Sequence, residues 1–170
     1  MHSPHHQPAQ RGSTLIEVVI AMGVLAVAIP LVFGALAESG KSGMSSEAET
    51  RSTWMVPACM EEIKASREGR PQYFTATTTG QTFPTTGDVW ALGFSAEGKP
   101  VGKIVKAAYD KGLKDIGGVK ILYIASISAA APTSTPSGTI PMLRTRISLE
   151  YPAAAPVAKR QKLDFFTRIP

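Results

Sequence analysis

The sequence is poor in the side chains that catalysis uses most. It has a single cysteine, Cys59, and its three histidines are His2, His5 and His6. A lone cysteine forms no disulfide within the chain, so the fold must hold by packing. Because no histidine follows His6, the base that Cys-His and Ser-His-Asp sites need is missing. We therefore expect a protein that is not an enzyme. We also expect no metal at the histidines, which stand in a short polar stretch without periodicity.

Asparagine is absent, and a nucleotide-binding loop is only imitated. Without asparagine, the turns must be formed by the 15 glycines and 13 prolines. Residues 35–42 end in Gly-Lys-Ser, as a phosphate-binding loop does. This segment has Ala35 in place of the first glycine and follows an apolar run rather than a strand, so we expect no nucleotide and no other cofactor.

One long apolar run is present, from Ser13 to Ala37, and Glu17 is the only charged residue in it. A helix rises about 1.5 Å per residue and needs about 20 apolar residues to cross a hydrocarbon core of roughly 30 Å. Residues 13–37 are therefore predicted to span a membrane. An ionised side chain at that depth costs about 2.5 to 3.5 kcal/mol, which makes Glu17 the first candidate functional residue.

Residues 12–18 read Gly-Ser-Thr-Leu-Ile-Glu-Val, and they join a polar leader, residues 1–12, to the apolar run. This arrangement resembles the N-terminus of type IV pilins and type II secretion pseudopilins. The resemblance implies that a prepilin peptidase cuts after Gly12 and methylates the new N-terminus at Ser13, where the class usually has phenylalanine or another apolar residue. It also implies that Glu17 helps the subunit to enter a helical filament.

Two features of the apolar run leave alternatives open. After cleavage, the Ser13 ammonium would lie four residues, about 6 Å of helix, from the Glu17 carboxylate, so a subunit displaced by that step would bring its own ammonium against Glu17. Alternatively, Glu17 snorkels to the headgroups around an ordinary anchor. At Pro30 the resemblance implies a possible helix break during assembly, and the alternative is a kink in a tolerant transmembrane helix.

The rest of the chain predicts an α+β fold, a long N-terminal helix packed on a small antiparallel sheet. Residues 38–70 keep a helical period and are expected to continue the first helix as an amphipathic half. Residues 71–170 are expected to form the C-terminal antiparallel β domain. The predicted strands cover residues 72–77, 89–95, 119–128, 142–151 and 162–169, and residues 101–114 suit either a strand or a helical turn.

Four side chains of this helix and sheet carry further expectations. Trp54 and Trp90 are expected to meet in the core between helix and sheet. Glu61 and Glu62 point about 100° apart on a helix and do not converge as a catalytic pair. We therefore interpret both as solvated helix surface.

Charge is distributed unevenly along the chain. Residues 1–98 carry a net charge of −3 and residues 99–170 a net charge of +8, which together give the +5 of the whole chain. Arg144 and Arg146 are candidate contacts for nucleic acid through counterion release. We favour a solvated sheet face with these arginines alternating outward, because no aromatic residue interleaves with them as a stacking platform requires. Nucleic acid is therefore not an expected partner.

Residues 94–100, 147–152 and 164–169 resemble minor pilins and pseudopilins, and also the pilin-like Verru_Chthon cassette proteins of B type. The expected function is that of a structural subunit, a minor pilin or pseudopilin. It would stand in the inner membrane with its N-terminus cytoplasmic and its C-terminal domain periplasmic, and then enter a filament. The implied partners are other pilin or pseudopilin subunits, the prepilin peptidase and an inner-membrane assembly platform. The alternatives are an unprocessed, membrane-anchored periplasmic binding module and a DNA-binding minor pilin.

Overall fold

The computed structural model describes residues 15–77, 83–84, 87–130 and 142–169. The chain divides into two compact units, residues 1–44 and residues 45–170. The predicted α+β class is confirmed, because a long N-terminal helix is followed by a small antiparallel sheet. The elements are α1 Leu15–Arg67, β1 Trp90–Phe94, β2 Pro100–Ile104, α2 Lys106–Lys111, β3 Asp115–Ile116, β4 Val119–Lys120, β5 Tyr123–Ala130, β6 Leu143–Tyr151, a 3-10 turn Val157–Lys159 and β7 Gln161–Ile169.

Helix α1 continues through both of its prolines. Proline has no N–H, so Pro30 and Pro57 leave the carbonyls of Ala26 and Thr53 without their α-helical donors. The remaining ladder nevertheless carries the helix from one end to the other. A helix break at Pro30 during assembly stays a prediction.

The main sheet of the second unit has five strands in the order β2-β1-β5-β6-β7, and every neighbouring pair is antiparallel. Its register places Leu92 opposite Ala125, Ala125 opposite Leu149, and Leu149 opposite Leu163. Strands β3 and β4 form a separate two-stranded hairpin. Because side chains alternate along each strand, this register defines two faces of the sheet.

One face of the sheet packs with the C-terminal part of α1 into the main core. The helix contributes Ala48, Met55, Cys59 and Ile63, all fully buried. Helix spacing puts these residues on one side, because they recur at steps of seven, four and four. The fully buried sheet residues include Leu92, Phe94, Tyr123, Ile127, Leu143, Ile147, Leu149 and Tyr151.

A second apolar cluster lies on the other face of the sheet, near β1 and β2. It consists of Ala91, Ile104, Ile121, Ile124 and Ala153. Partly buried side chains of α2 and of the β3–β4 hairpin pack against it, among them Ala108, Tyr109 and Ile116. This cover stops before the β6–β7 side of the same face, where Arg144, Arg146 and Phe166 are exposed.

The structure corrects one predicted strand and settles one open segment. Residues 72–74 form a bend and residues 75–77 are irregular, so no strand forms there, and the fifth strand of the sheet is β2 instead. The segment 101–114 contains both alternatives, since β2 is followed directly by α2. The predicted strand 119–128 is divided between β4 and β5, whereas β6 and β7 agree closely with the predicted strands 142–151 and 162–169.

The expectation that the two tryptophans meet in the core is wrong. Trp90 is buried between the rings of Phe74 and Phe83, with centroid distances of 4.6 Å and 4.3 Å. Trp54 is 45% exposed, and its indole Nε1 donates to the backbone carbonyl of Glu97 at 3.2 Å. The indole N–H needs a polar partner, and it finds one at the turn between β1 and β2.

Candidate functional site

The first unit presents an apolar helix with one carboxylate near its start. Glu17 lies in the first turn of α1 and its side chain is exposed. Gly12 and Ser13, the predicted processing residues, lie outside the described residues. A negative charge in the first turn also interacts favourably with the partial positive charge of the helix N-terminus.

The side chains around Glu17 are apolar and unburied. From Leu15 to Gly40, every side chain except half-buried Ala28 is exposed, including Leu15 at 84% and Phe33 at 67%. By length and composition, the helix containing this segment is able to cross a membrane. A helix that is hydrophobic all round is stable only inside lipid or a protein assembly.

In the second unit, Glu62 anchors the chain that follows α1, in contrast to the solvated surface expected from the sequence. Its Oε1 accepts the N–H groups of Tyr73 at 2.7 Å and Phe74 at 2.9 Å, and its Oε2 accepts that of Gln72 at 3.2 Å. The Glu62 residue is 5% exposed, whereas the neighbouring Glu61 is exposed as expected. These bonds take donors that a strand at residues 72–77 would have needed, which explains why no strand forms there.

The helical period contained a signal for Glu62 that the sequence interpretation missed. Glu62 follows buried Met55 by seven residues and buried Cys59 by three, so it belongs to the packed side of the helix. A carboxylate on a packed face needs hydrogen-bond donors, because burying it without them is costly. The backbone N–H groups of the bend that follows the helix are the nearest source.

Cys59 sits beside Glu62 in the same core and is chemically quiet. Burial, and to a smaller extent the nearby charge of Glu62, raise the pKa of the Cys59 thiol to about 12. The thiol therefore stays neutral at ordinary pH and is a poor nucleophile. Its role is that of a small apolar side chain in the helix to sheet packing.

A buried ion pair that the sequence interpretation did not find links β6 to the segment before β7. Arg160 Nη1 donates to Glu150 Oε2 at 2.9 Å, and both side chains are almost fully buried. The Tyr109 hydroxyl donates to Glu150 Oε1 at 2.7 Å, and Arg160 also donates to the backbone carbonyl of Tyr109. Burial and the hydrogen bond to Glu150 raise the pKa of Tyr109 to about 12. The cluster fastens α2 to the sheet.

The two arginines singled out from the sequence lie on β6 and point to the uncovered face, as the predicted alternation requires. Arg146 makes a forked pair with Asp164, with Nε to Oδ1 at 3.1 Å and Nη2 to Oδ2 at 2.7 Å. Its guanidinium carbon is 5.9 Å from the ring centre of Phe166. An aromatic ring therefore does accompany these charges, contributed by the neighbouring strand.

Among the described residues, no group of three histidine, cysteine, aspartate or glutamate side chains is arranged to hold a metal ion. A family model described as the prokaryotic N-terminal methylation motif matches residues 7–29. The match includes Gly12, Ser13 and Glu17 and the beginning of α1. The comparison with curated proteins gave no match, and neither did the comparison with solved structures.

Proposed function

Because residues 7–29 carry the N-terminal methylation motif, the signature of type IV pilins and pseudopilins, we propose that the protein is a minor pilin or pseudopilin, cut after Gly12 and packed into a filament. Pilin-type proteins with this motif are structural subunits rather than enzymes. They are processed by a peptidase and assemble with other pilin subunits. The chain is pilin-like in both its motif and its α+β architecture.

The exposure of the apolar helix carries this proposal. The segment from Leu15 to Leu36 offers large side chains on all sides, and its own chain buries almost none of them. In the inner membrane, lipid would cover them. In a filament, the same helices of neighbouring subunits would cover them by lateral packing. The same apolar helix would thus be covered both in the membrane before assembly and in the filament after assembly.

Glu17 is proposed to set the register between subunits. Cleavage after Gly12 would create an ammonium at Ser13, one helical step of about 6 Å from the carboxylate. Two subunits displaced by that step would pair the ammonium of one with Glu17 of the other. In apolar surroundings, few other dipoles would weaken the attraction between the two charges. The pair would offset the cost of carrying each charge into an apolar assembly.

The inner membrane, with the N-terminus cytoplasmic and the C-terminal domain periplasmic, is the proposed location before assembly. The prepilin peptidase and an inner-membrane assembly platform are the proposed partners there. A local break of α1 at Pro30 would let the helix adapt to its neighbours, because the carbonyl of Ala26 already lacks its α-helical donor.

Intact-mass measurement of the protein extracted from membranes tests the proposal. The expected product lacks residues 1–12 and carries one added methyl group. A Gly12→Ala variant serves as the matched control, because it alters the cleavage residue and leaves the span unchanged. A native protein that keeps its first 12 residues would instead indicate the alternative function, a membrane-anchored periplasmic binding module that never assembles.

A further inference from the structure

The uncovered face of β6 and β7 combines charges in an unusual register. Arg144 on β6 lies directly opposite Arg168 on β7, and Arg146 lies directly opposite Phe166. Strand alternation brings all four side chains to the same face, and all four are exposed. The next row along, Ser148 opposite Asp164, supplies the carboxylate that pairs with Arg146.

Arg144 and Arg168 place two positive charges directly opposite each other. Within the described part of the chain, neither guanidinium makes an ion pair. Like charges directly opposite in an antiparallel pair destabilise the sheet. An anion placed between the two guanidiniums would turn this repulsion into attraction, since each fork can donate two parallel hydrogen bonds to a phosphate.

Phe166 supplies an apolar plane beside these charges. The ring is 76% exposed although it is a large hydrophobic side chain at the centre of a strand. Arg146 is held at the ring by its forked bond to Asp164, so ring and guanidinium form one cationic and aromatic element. The element borders an open groove of about 630 Å³, lined also by Ala130, Arg144 and Arg168.

We propose that this groove binds single-stranded nucleic acid, with phosphate between Arg144 and Arg168 and an unpaired base stacked on Phe166. Stacking on an aromatic side chain inside a basic groove is the general mode of sequence-tolerant single-strand binding. The net charge of +8 over residues 99–170 adds a wide positive field, which suits a long polyanion better than one acidic side chain. The proposal stands whether or not the protein enters a filament.

The test uses the full-length protein in detergent micelles and a fluorescently labelled oligothymidylate of about 16 nucleotides, the upper range of single-strand site sizes. Binding is followed by anisotropy at several salt concentrations. Phe166→Ala and Phe166→Leu should each weaken binding about tenfold, because both remove the ring on which the base stacks. The leucine variant keeps an apolar side chain, so an equal loss in both variants assigns the effect to stacking. The Arg144→Ala/Arg168→Ala variant should reduce the steepness of log K against log salt by about 0.7, because the one phosphate held between the two arginines is no longer neutralised.

A matched control distinguishes binding in the groove from attraction to the positive charge of the domain in general. Lys114→Ala/Lys120→Ala removes the same charge at exposed positions near the β3–β4 hairpin, and it should leave the effect of Phe166→Leu unchanged. Oligothymidylate binding that is indifferent to Phe166 and to the arginine pair would overturn the proposal. Equal or tighter binding of polyglutamate with the same dependence on Phe166 would also overturn it, and would assign the groove to an acidic protein segment.

Discussion

Two stretches of helix α1 differ in what covers their apolar side chains. From Leu15 to Ala37, the side chains of α1 are almost all apolar and exposed, whereas between Ser45 and Arg67 the helix buries Ala48, Met55, Cys59 and Ile63 in the core that it forms with the sheet. Each stretch also carries an acidic residue. The Glu62 carboxylate accepts hydrogen bonds from backbone N–H groups of its own chain, and Glu17 is proposed to pair with another subunit. Both stretches are helical. They differ in that the protein's own sheet covers the apolar side of the second stretch and not the first.

Thiol labelling gives the largest contrast between the stretches. At pH 8, the Cys59 thiol, with its pKa raised to about 12 by burial, should react about a thousandfold more slowly than an exposed thiol with a pKa near 8.5. A Ser39→Cys substitution supplies that exposed thiol on the same helix. Mass spectrometry should find fast labelling at position 39 and slow labelling at Cys59. Equal rates would mean that the core around Cys59 is open.

Shortening one core side chain should destabilise the C-terminal domain strongly. Met55 is fully buried, so Met55→Ala should lower the free energy of unfolding by about 2 to 5 kcal/mol. Leu25→Ala is the matched control, because Leu25 is 55% exposed in the first unit. Urea unfolding in mild detergent, followed by the fluorescence of the two tryptophans, of which Trp90 is buried in this domain, measures both. The comparison fails if Leu25→Ala costs this transition as much as Met55→Ala does.

Alanine variants of the two adjacent glutamates near the end of α1 should differ in their free energy of unfolding, by somewhat less than the preceding pair of variants. Glu62→Ala removes the acceptor of three buried or half-buried backbone N–H groups and should cost about 2 to 3 kcal/mol. Glu61→Ala, at an exposed position, should change stability by less than about 0.5 kcal/mol. The same urea experiment applies. Similar losses for both variants would show that the contacts of Glu62 contribute little.

The smallest effect is expected for Asp164, a carboxylate that is also paired within its chain but at the surface. The hydrogen bonds and charge of Arg146 hold the pKa of Asp164 below its usual range. Its contribution is therefore present above the unfolded-state pKa and is lost as the pH falls through the lower folded-state value. Asp164→Asn should cost less than about 1 kcal/mol at pH 7, and the difference from wild type should shrink toward pH 2 in thermal unfolding. A difference that grows on acidification would refute this sign.

Local pattern was sufficient for much of the molecule. The long helix, the α+β class, strands β6 and β7 and the outward alternation of Arg144 and Arg146 all follow from periodicity. Contacts between distant segments did not follow. The backbone donors that reach Glu62 come from the bend after the helix, and Phe166 reaches Arg146 only through the register of two strands. Residue spacing along one segment does not encode such partners.

Incorporation of a Glu17→Ala variant into sheared filaments tests most directly whether the carboxylate joins one subunit to another. Removing a charge from the apolar stretch should leave membrane insertion unchanged or improved. We expect wild-type amounts of the variant in the membrane and none in the filament fraction, while Glu49→Ala, which removes an exposed charge from the same helix, enters filaments normally. Filaments that contain the Glu17→Ala subunit at the wild-type level would contradict a role for this carboxylate in assembly.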